Sequence, residues 1–495
     1  MAAFFHRNLC KLVLIVCISS LVPLQVKAET NDNHNNPEKK IITKVIAAYG
    51  GKTLIDAKSI KLTDYNKGPW PGESEHPGIP EIWRINEELT IDFRNQRKSL
   101  LSYRVPRSDL DLEKWIFENG QGFKYDILYK KRSIESWVTY ERLGASIVRS
   151  SDTMHAIRLH RELRQASYLG NEFFRGTPHH KLAVTLASGA EFTYLIDSVT
   201  GLIMKVIRRH PQVGDMTYIF SNHQRVNGVA FAADMNFFVD GELRLTSVER
   251  NAEINVTLSE PFKHFDDFTS WGEEVDSSSM IVKPISKGVY QAGKGRALNL
   301  FIEHQDYFVA LGDANHLNLN FNELKKQFNT NKPIKFFVTT HHHRGNLTGL
   351  DKVLDIGAKI VASQTHLSTI RDSLPAKIDE NNFILVPDRL PFSLGKLQLF
   401  DIATAHSQHY LLVYLPESKT IFAEEHYETQ LKSGKPRVYK DMVLFRQILD
   451  SLPIEIERLV DGHSWRQFTL REFREYTHNF VKKQCPKAFT ICAKG

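Results

Sequence analysis

Near residue 270 the chain changes its hydrophobic texture, and that change restricts the possible folds more than any single motif does. Upstream, from about residue 89 to residue 262, apolar and other residues alternate with the period of a strand. Phe192, Tyr194 and Ile196 are an example. Asn227-Gly228 and Asp240-Gly241 interrupt such runs, and both pairs suit two-residue hairpin turns with positive φ. Downstream, short buried-type runs alternate with amphipathic stretches, which is the pattern of sheets covered by helices. A chain of 495 residues is too long for one ordinary core, so two domains of different class are expected.

The boundaries follow from the same texture. Ile41, Ile42, Val45, Ile46 and Tyr49 form one helical face that Gly50-Gly51 ends, and residues 153–169 predict a second helix. The strand-rich region predicts a curved antiparallel sheet with helices packed on it, over residues 29–268. The stretch 269–280, with Ser277-Ser278-Ser279, reads as a linker, and residues 281–484 as an α/β domain. In that domain strands are expected at 298–303, 307–311, 334–338 and 359–362, and helices at 321–328 and 347–356. Residues 485–495 form a tail holding two cysteines.

Composition excludes some classes. Hydrophobic residues at 42% and charged residues at 24% are those of a globular protein. Of the formal charge of +7, Arg7, Lys11 and Lys27 of the first 28 residues account for three, leaving about +4 without a dense basic run. Nucleic acid is therefore not an expected partner. Arg7 and Lys11 precede an apolar run from Leu12 to Val22, and Val26-Lys27-Ala28 offers a cleavage site, so residues 1–28 read as an export signal. No later run is long enough for a stable membrane span. A periplasmic or secreted protein is expected, with Cys485 and Cys492 left either to pair in an oxidising compartment or to stand free.

The stretch "TTHHHRGNLTG" follows the apolar run at Ile334–Val338. His341 and His343 stand two apart in an extended segment, so their side chains point the same way, while His342 and Arg344 point the other way. Further on, His406, Glu424-Glu425 and His463 each follow an apolar strand. Four strand ends thus deliver histidines or carboxylates to one edge.

Across roughly residues 280–484 this order of parts resembles the metallo-β-lactamase superfamily. That family writes T-H-x-H-x-D-H-x-G-G, then G-H-S/T-x-G, a G-D pair, and G-H. Thr340, His341, His343 and Gly349 match the first motif, His406-Ser407 the second, and Gly462-His463 the last. The resemblance implies an αββα sandwich whose first metal set is His341, His343 and His406. It departs at the second set. Gly345 stands at the aspartate position and has no side chain. Asn346 stands at the fourth histidine and is a weak neutral ligand, and Glu425 replaces the bridging aspartate. Ala405, His409 and Glu424 stand where the family prefers glycine.

The resemblance therefore implies a hydrolase with one zinc ion on His341, His343 and His406, with His463 and Glu425 nearby. Three neutral imidazoles leave an ion able to bring a bound water to a pKa of about 7. Glu425 is the candidate catalytic carboxylate, as ligand or general base; a solvated or ion-paired role stands beside it. Asp313 reads as outer support of the site or as a helix cap, and His409 and His426 as pocket lining or packing. The substrate is a small molecule that the sequence does not name. The phrases "YLIDSVTGLIMKVI" and "RVNGVAFAADM" resemble LolA-like half-barrel domains, over roughly residues 35–265. This implies a possible apolar ligand there. The alternative function is a catalytically degenerate member acting as an apolar-ligand-binding or scaffold protein.

Overall fold

The structure is a computed structural model and describes residues 36–70, 72–105, 109–210, 214–374 and 378–493. The expected leader, with Cys10 and Cys17, lies outside the described residues. The chain divides into a unit Met1–Pro37 and a unit Glu38–Gly495, and the architecture is that of the second.

Its first half is built on one 14-stranded sheet made of two meanders and the short edge strand Thr269–Ser270. One runs from Ser59–Trp70 through Glu81–Asp92, Arg97–Val105, Asp111–Glu118 and Gln121–Asp126 to Lys131–Ile134, each strand antiparallel to the last. The other runs from Ala166–Phe174 to Glu242–Ile254, which closes back on Ser59–Trp70. Its hairpins obey local turn chemistry. Asn227 and Gly228 take φ of 50° and 83°, Asp240 and Gly241 49° and 84°, as the two-residue turn requires. Helices Pro37–Tyr49, Ala145–Ser150 and Asp152–Arg161 share one core with the sheet through Ile41, Val45, Ile147, Ile157 and Leu159. Ser151 caps the last of these by accepting from Met154 N. The helix expected over 153–169 ends early, and Ala166–Phe174 is already strand.

The second half is a sandwich of two sheets between helices. A seven-stranded sheet runs in order from Ile281–Ser286 to Phe383–Val386, antiparallel through Phe308–Gly312 and parallel beyond it. A six-stranded sheet holds Leu397–Ile402, Tyr410–Leu415, Thr420–Phe422 and Arg458–Val460. Alternation sets the layers. Leu300, Ile302, Val309 and Leu311 face the second sheet's Leu399, Leu411, Val413 and Phe422. Phe301 and Ala310 face outward to helix Leu317–Phe328. On the other side Leu412, Ile421 and Leu459 meet helices Lys440–Ser451 and Leu470–His478. The fold class is thus α/β, an αββα sandwich preceded by an antiparallel, half-barrel-like α+β part. No described helix is long and apolar enough to cross a membrane.

One local expectation is corrected here, and two further segments are tied down by specific contacts. The helix expected at 347–356 is two, Arg344–Leu347 and Leu350–Asp355. Between them Gly349 takes a φ of 92°, where a Cβ would sit 2.5 Å from the Asn315 backbone. The stretch 269–280 is stitched rather than loose: Thr269–Ser270 pairs with the edge strand at Lys131–Arg132, and Glu274 bridges Leu431. The tail, too, is sewn down. Cys485 and Cys492 form a disulfide, Ile491 is buried among Tyr65, Leu112 and Ile116, and its carbonyl accepts from Asn86 Nδ2 at 2.9 Å.

Candidate metal centre

Strand Ile334–Val338 ends three residues before His341, and the extended backbone there places His341 and His343 side by side, ring centroids 4.4 Å apart. His406 arrives between Leu397–Ile402 and Tyr410–Leu415, its ring 4.5 Å from His341 and 4.3 Å from His343. Glu425 follows Thr420–Phe422 with a φ of 64°, a conformation that costs a glutamate about 1 kcal/mol and turns its carboxylate into the cluster. His341 Nε2, His406 Nε2 and His343 Nδ1 stand 3.2, 2.6 and 3.5 Å from Glu425 Oε2.

These four donors lie within 4.8 Å of one another, and their separations fit an ion. Ligands about 2.1 Å from a tetrahedral ion stand roughly 3.4 Å apart. His341 Nε2 and His406 Nε2 are 2.9 Å apart, a repulsive contact between two lone pairs unless a proton or cation lies between them. The outer nitrogens settle the tautomers. His343 Nε2–H donates to Ser74 O at 2.9 Å, so Nδ1 is bare, buried and without a hydrogen bond. Thr340 Oγ1 donates to Glu424 Oε2 at 2.6 Å and accepts from His341 Nδ1–H at 2.9 Å, which leaves Nε2 bare.

Burial, and secondarily His343, pushes the His341 pKa down to about 3, so it is a neutral donor. Burial alone would raise Glu425, but the surrounding rings of His341, His343, His406 and His463 hold it well below the usual carboxylate range. Glu424, buried beside it, is pushed up to about 7.

Of the residues singled out from sequence, His341, His343, His406 and Glu425 form this group. His463 lies one hydrogen bond further, with Nε2 3.3 Å from Glu425 Oε1 and Nδ1 donating to Arg296 O. Burial would lower its pKa, but Glu425, Asp461 and Glu424 outweigh that and raise it. His342 points away, as expected, though it is buried against His366 rather than exposed. Asn346 packs its amide 2.9 and 3.1 Å from the two His341 nitrogens. Asp313 accepts from His316 N in the turn that leads into helix Leu317–Phe328. His409 pairs with Asp401 at 2.8 Å, within a second group that includes Asp388. His426 packs between Tyr410 and Phe445.

Sequence reasoning missed three contributors, Asp461, Glu73 and Ser74, and named a fourth, Glu424, without giving it a role. Asp461 accepts from the backbone of both Glu425 and His463, and its place in "DGH" was a usable signal. Glu424 explains Gly462: a Cβ there would sit 2.7 Å from Glu424 Oε1. Glu73 and Ser74 come from the other half of the chain, and nothing local marks them.

No family model and no curated protein matches this chain. Among solved structures, a metallo-β-lactamase from Pontibacter korlensis is 19% identical and spans 41% of this chain and 100% of its own, with a TM-score of 0.33. The metallo-β-lactamase FIM-1 from Pseudomonas aeruginosa, in its mono-zinc form, is 19% identical over 40% of this chain and 92% of its own, TM-score 0.31. The metal-soaked Flv1 flavodiiron core from Synechocystis sp. PCC6803 is 13% identical over 40% of this chain and 60% of its own, TM-score 0.33.

Proposed function

We propose that this protein is an exported metal-dependent hydrolase whose site holds one zinc ion on His341, His343 and His406, with Glu425 as the acidic member. The observation that carries the reading is the convergence of three imidazole nitrogens, two of them with tautomers set by partners on the far side of the ring, on a single carboxylate oxygen. A divalent ion held there supplies Lewis-acid activation of water toward a carbonyl or phosphorus centre. The chain's own groups orient it. Thr340 and Ser74 O hold the tautomers, Asp461 holds the Glu425 backbone, and Glu425 Oε1 faces His463 as a place to hold a proton.

The test is metal analysis of the purified full-length protein, paired with hydrolysis of a chromogenic panel of β-lactam, thioester, lactone and phosphodiester before and after chelation. About one zinc per chain, with hydrolysis lost to chelator and regained with zinc, is the expected result. Absence of both metal and hydrolysis sinks the proposal.

The alternative is a catalytically silent chain that binds an apolar ligand or serves as a scaffold. Its support is closure: His341 and His343 are fully buried and Glu425's side chain is 9% exposed. On either reading the proposed location is periplasmic or secreted, with cleavage after Ala28, and the first half is proposed to be LolA-like. N-terminal sequencing of exported material checks the cleavage; a chain beginning at Met1 would contradict it.

A further inference from the structure

The connection between Ser59–Trp70 and Glu81–Asp92 does not stay with its own sheet. It crosses to the histidine end of the sandwich as a strap. Gly72 O accepts from Arg344 N at 2.9 Å, and Ser74 O accepts from His343 Nε2 at 2.9 Å. Glu75 O accepts from Gln408 N at 3.0 Å, and its carboxylate accepts from the Gln408 side chain. The strap is thus tied to both segments that bring histidines, at 343–344 and next to 406. Gly72 makes the approach possible: its φ is 77°, and a Cβ would stand 3.1 Å from Arg344 Cβ. Between these ties Glu73, its side chain 18% exposed, places Oε2 3.7 Å from His343 Nδ1, the bare donor of the cluster.

We infer that the first half of the chain completes the metal centre: Ser74 is a positioning residue that sets the His343 tautomer, and Glu73 supplies a second carboxylate beside the ion, next to the four donors that lie within 4.8 Å of one another. This rests on the metal reading above. Two observations carry it. The 3.7 Å separation is close to the roughly 3.4 Å between neighbouring ligands of one ion. In addition, Gly345 leaves the cluster with a single acidic group, so a second carboxylate offsets charge that Glu425 alone leaves in place. A negative charge beside the ion strengthens its binding and alters its electronic surroundings.

The experiment uses the full-length protein and cobalt(II), with affinity read by chelator competition and the site by its visible spectrum. Glu73→Gln, which keeps shape and removes charge, should weaken cobalt binding by about 10-fold or more and alter the spectrum, with the melting temperature of the metal-free protein unchanged. Glu73→Asp should recover part of the affinity. Gly72→Ala should lift the strap and weaken binding as well. If native protein and Glu73→Gln bind cobalt equally with the same spectrum, the role of Glu73 falls while the metal reading stands. If Gly72→Ala binds as the native protein does, the role of Ser74 falls. If the native protein binds no cobalt, both the inference and the metal reading are overturned.

Discussion

Gly345→Asp combined with Asn346→His should raise bound metal from about one to about two ions per chain. In the native chain a second ion finds only His463 and Glu425 as good side-chain ligands, one short of the three with which catalytic zinc sites are built. The two changes add a carboxylate and an imidazole next to His343. The structure says what this costs. Gly345 lies within helix Arg344–Leu347, and a Cβ there meets no atom within 4 Å. Aspartate is also a slightly better helix residue than glycine, by a few tenths of a kcal/mol. Asn346 is buried, with its amide 3.1 Å from the unprotonated His341 Nε2. Losing one such contact costs roughly 1 kcal/mol. The net loss is about 1 kcal/mol, small against the roughly 5–15 kcal/mol of a folded domain, so the double variant should fold and its metal can be counted. The assay is elemental analysis after exposure to excess zinc and dialysis, with circular dichroism as the folding control. A folded variant that stays at one ion refutes the placing of residues 345 and 346 toward a second ion. A native protein that already holds two refutes the account of missing ligands.

Four further outcomes are expected. His341→Ala should weaken metal binding by more than the roughly 100-fold typical of losing an outer partner. His342→Ala should keep the metal but lose stability, because His342 is buried against His366; metal loss in His342→Ala would contradict the alternation. Replacing Cys485 and Cys492 by serine opens a loop with a sequence separation of 7, worth about 2.5 kcal/mol in the chain-entropy model. Urea unfolding should register that drop, and an unchanged midpoint would argue against it. Burial, with Arg158 secondary, pushes the His155 pKa down to about 3, so the fold holds it neutral. Its contribution is complete above about pH 6.5 and is lost as pH falls toward 3, with a slope of up to roughly 1.4 kcal/mol per pH unit. His155→Gln should flatten the native pH dependence of unfolding in that window; parallel curves would show that this histidine does not set it.

What the sequence by itself determined about this protein is local. The two-residue period marked the strands, Asn227-Gly228 and Asp240-Gly241 marked their turns, and the His341–His343 spacing aimed two rings together. These depend on φ, ψ and side-chain direction over a few residues, so they can be read without knowing the fold. The family-like order of motifs extended the reading to His406, Glu425 and His463. Tertiary structure decided the rest. Ser59–Trp70 finds its partner in Glu242–Ile254 only when the second meander closes on the first. Ile491 becomes core only when the tail returns to the first sheet, where it packs on Tyr65 and Leu112 and its carbonyl meets Asn86, 405 residues away. Ser74 sets a tautomer of His343 across 269 residues. A glycine- and proline-rich connection carries no periodicity and no motif of its own. Whether its carbonyl meets water or an imidazole depends on how two separately built cores pack together, and that packing is not encoded in any short stretch.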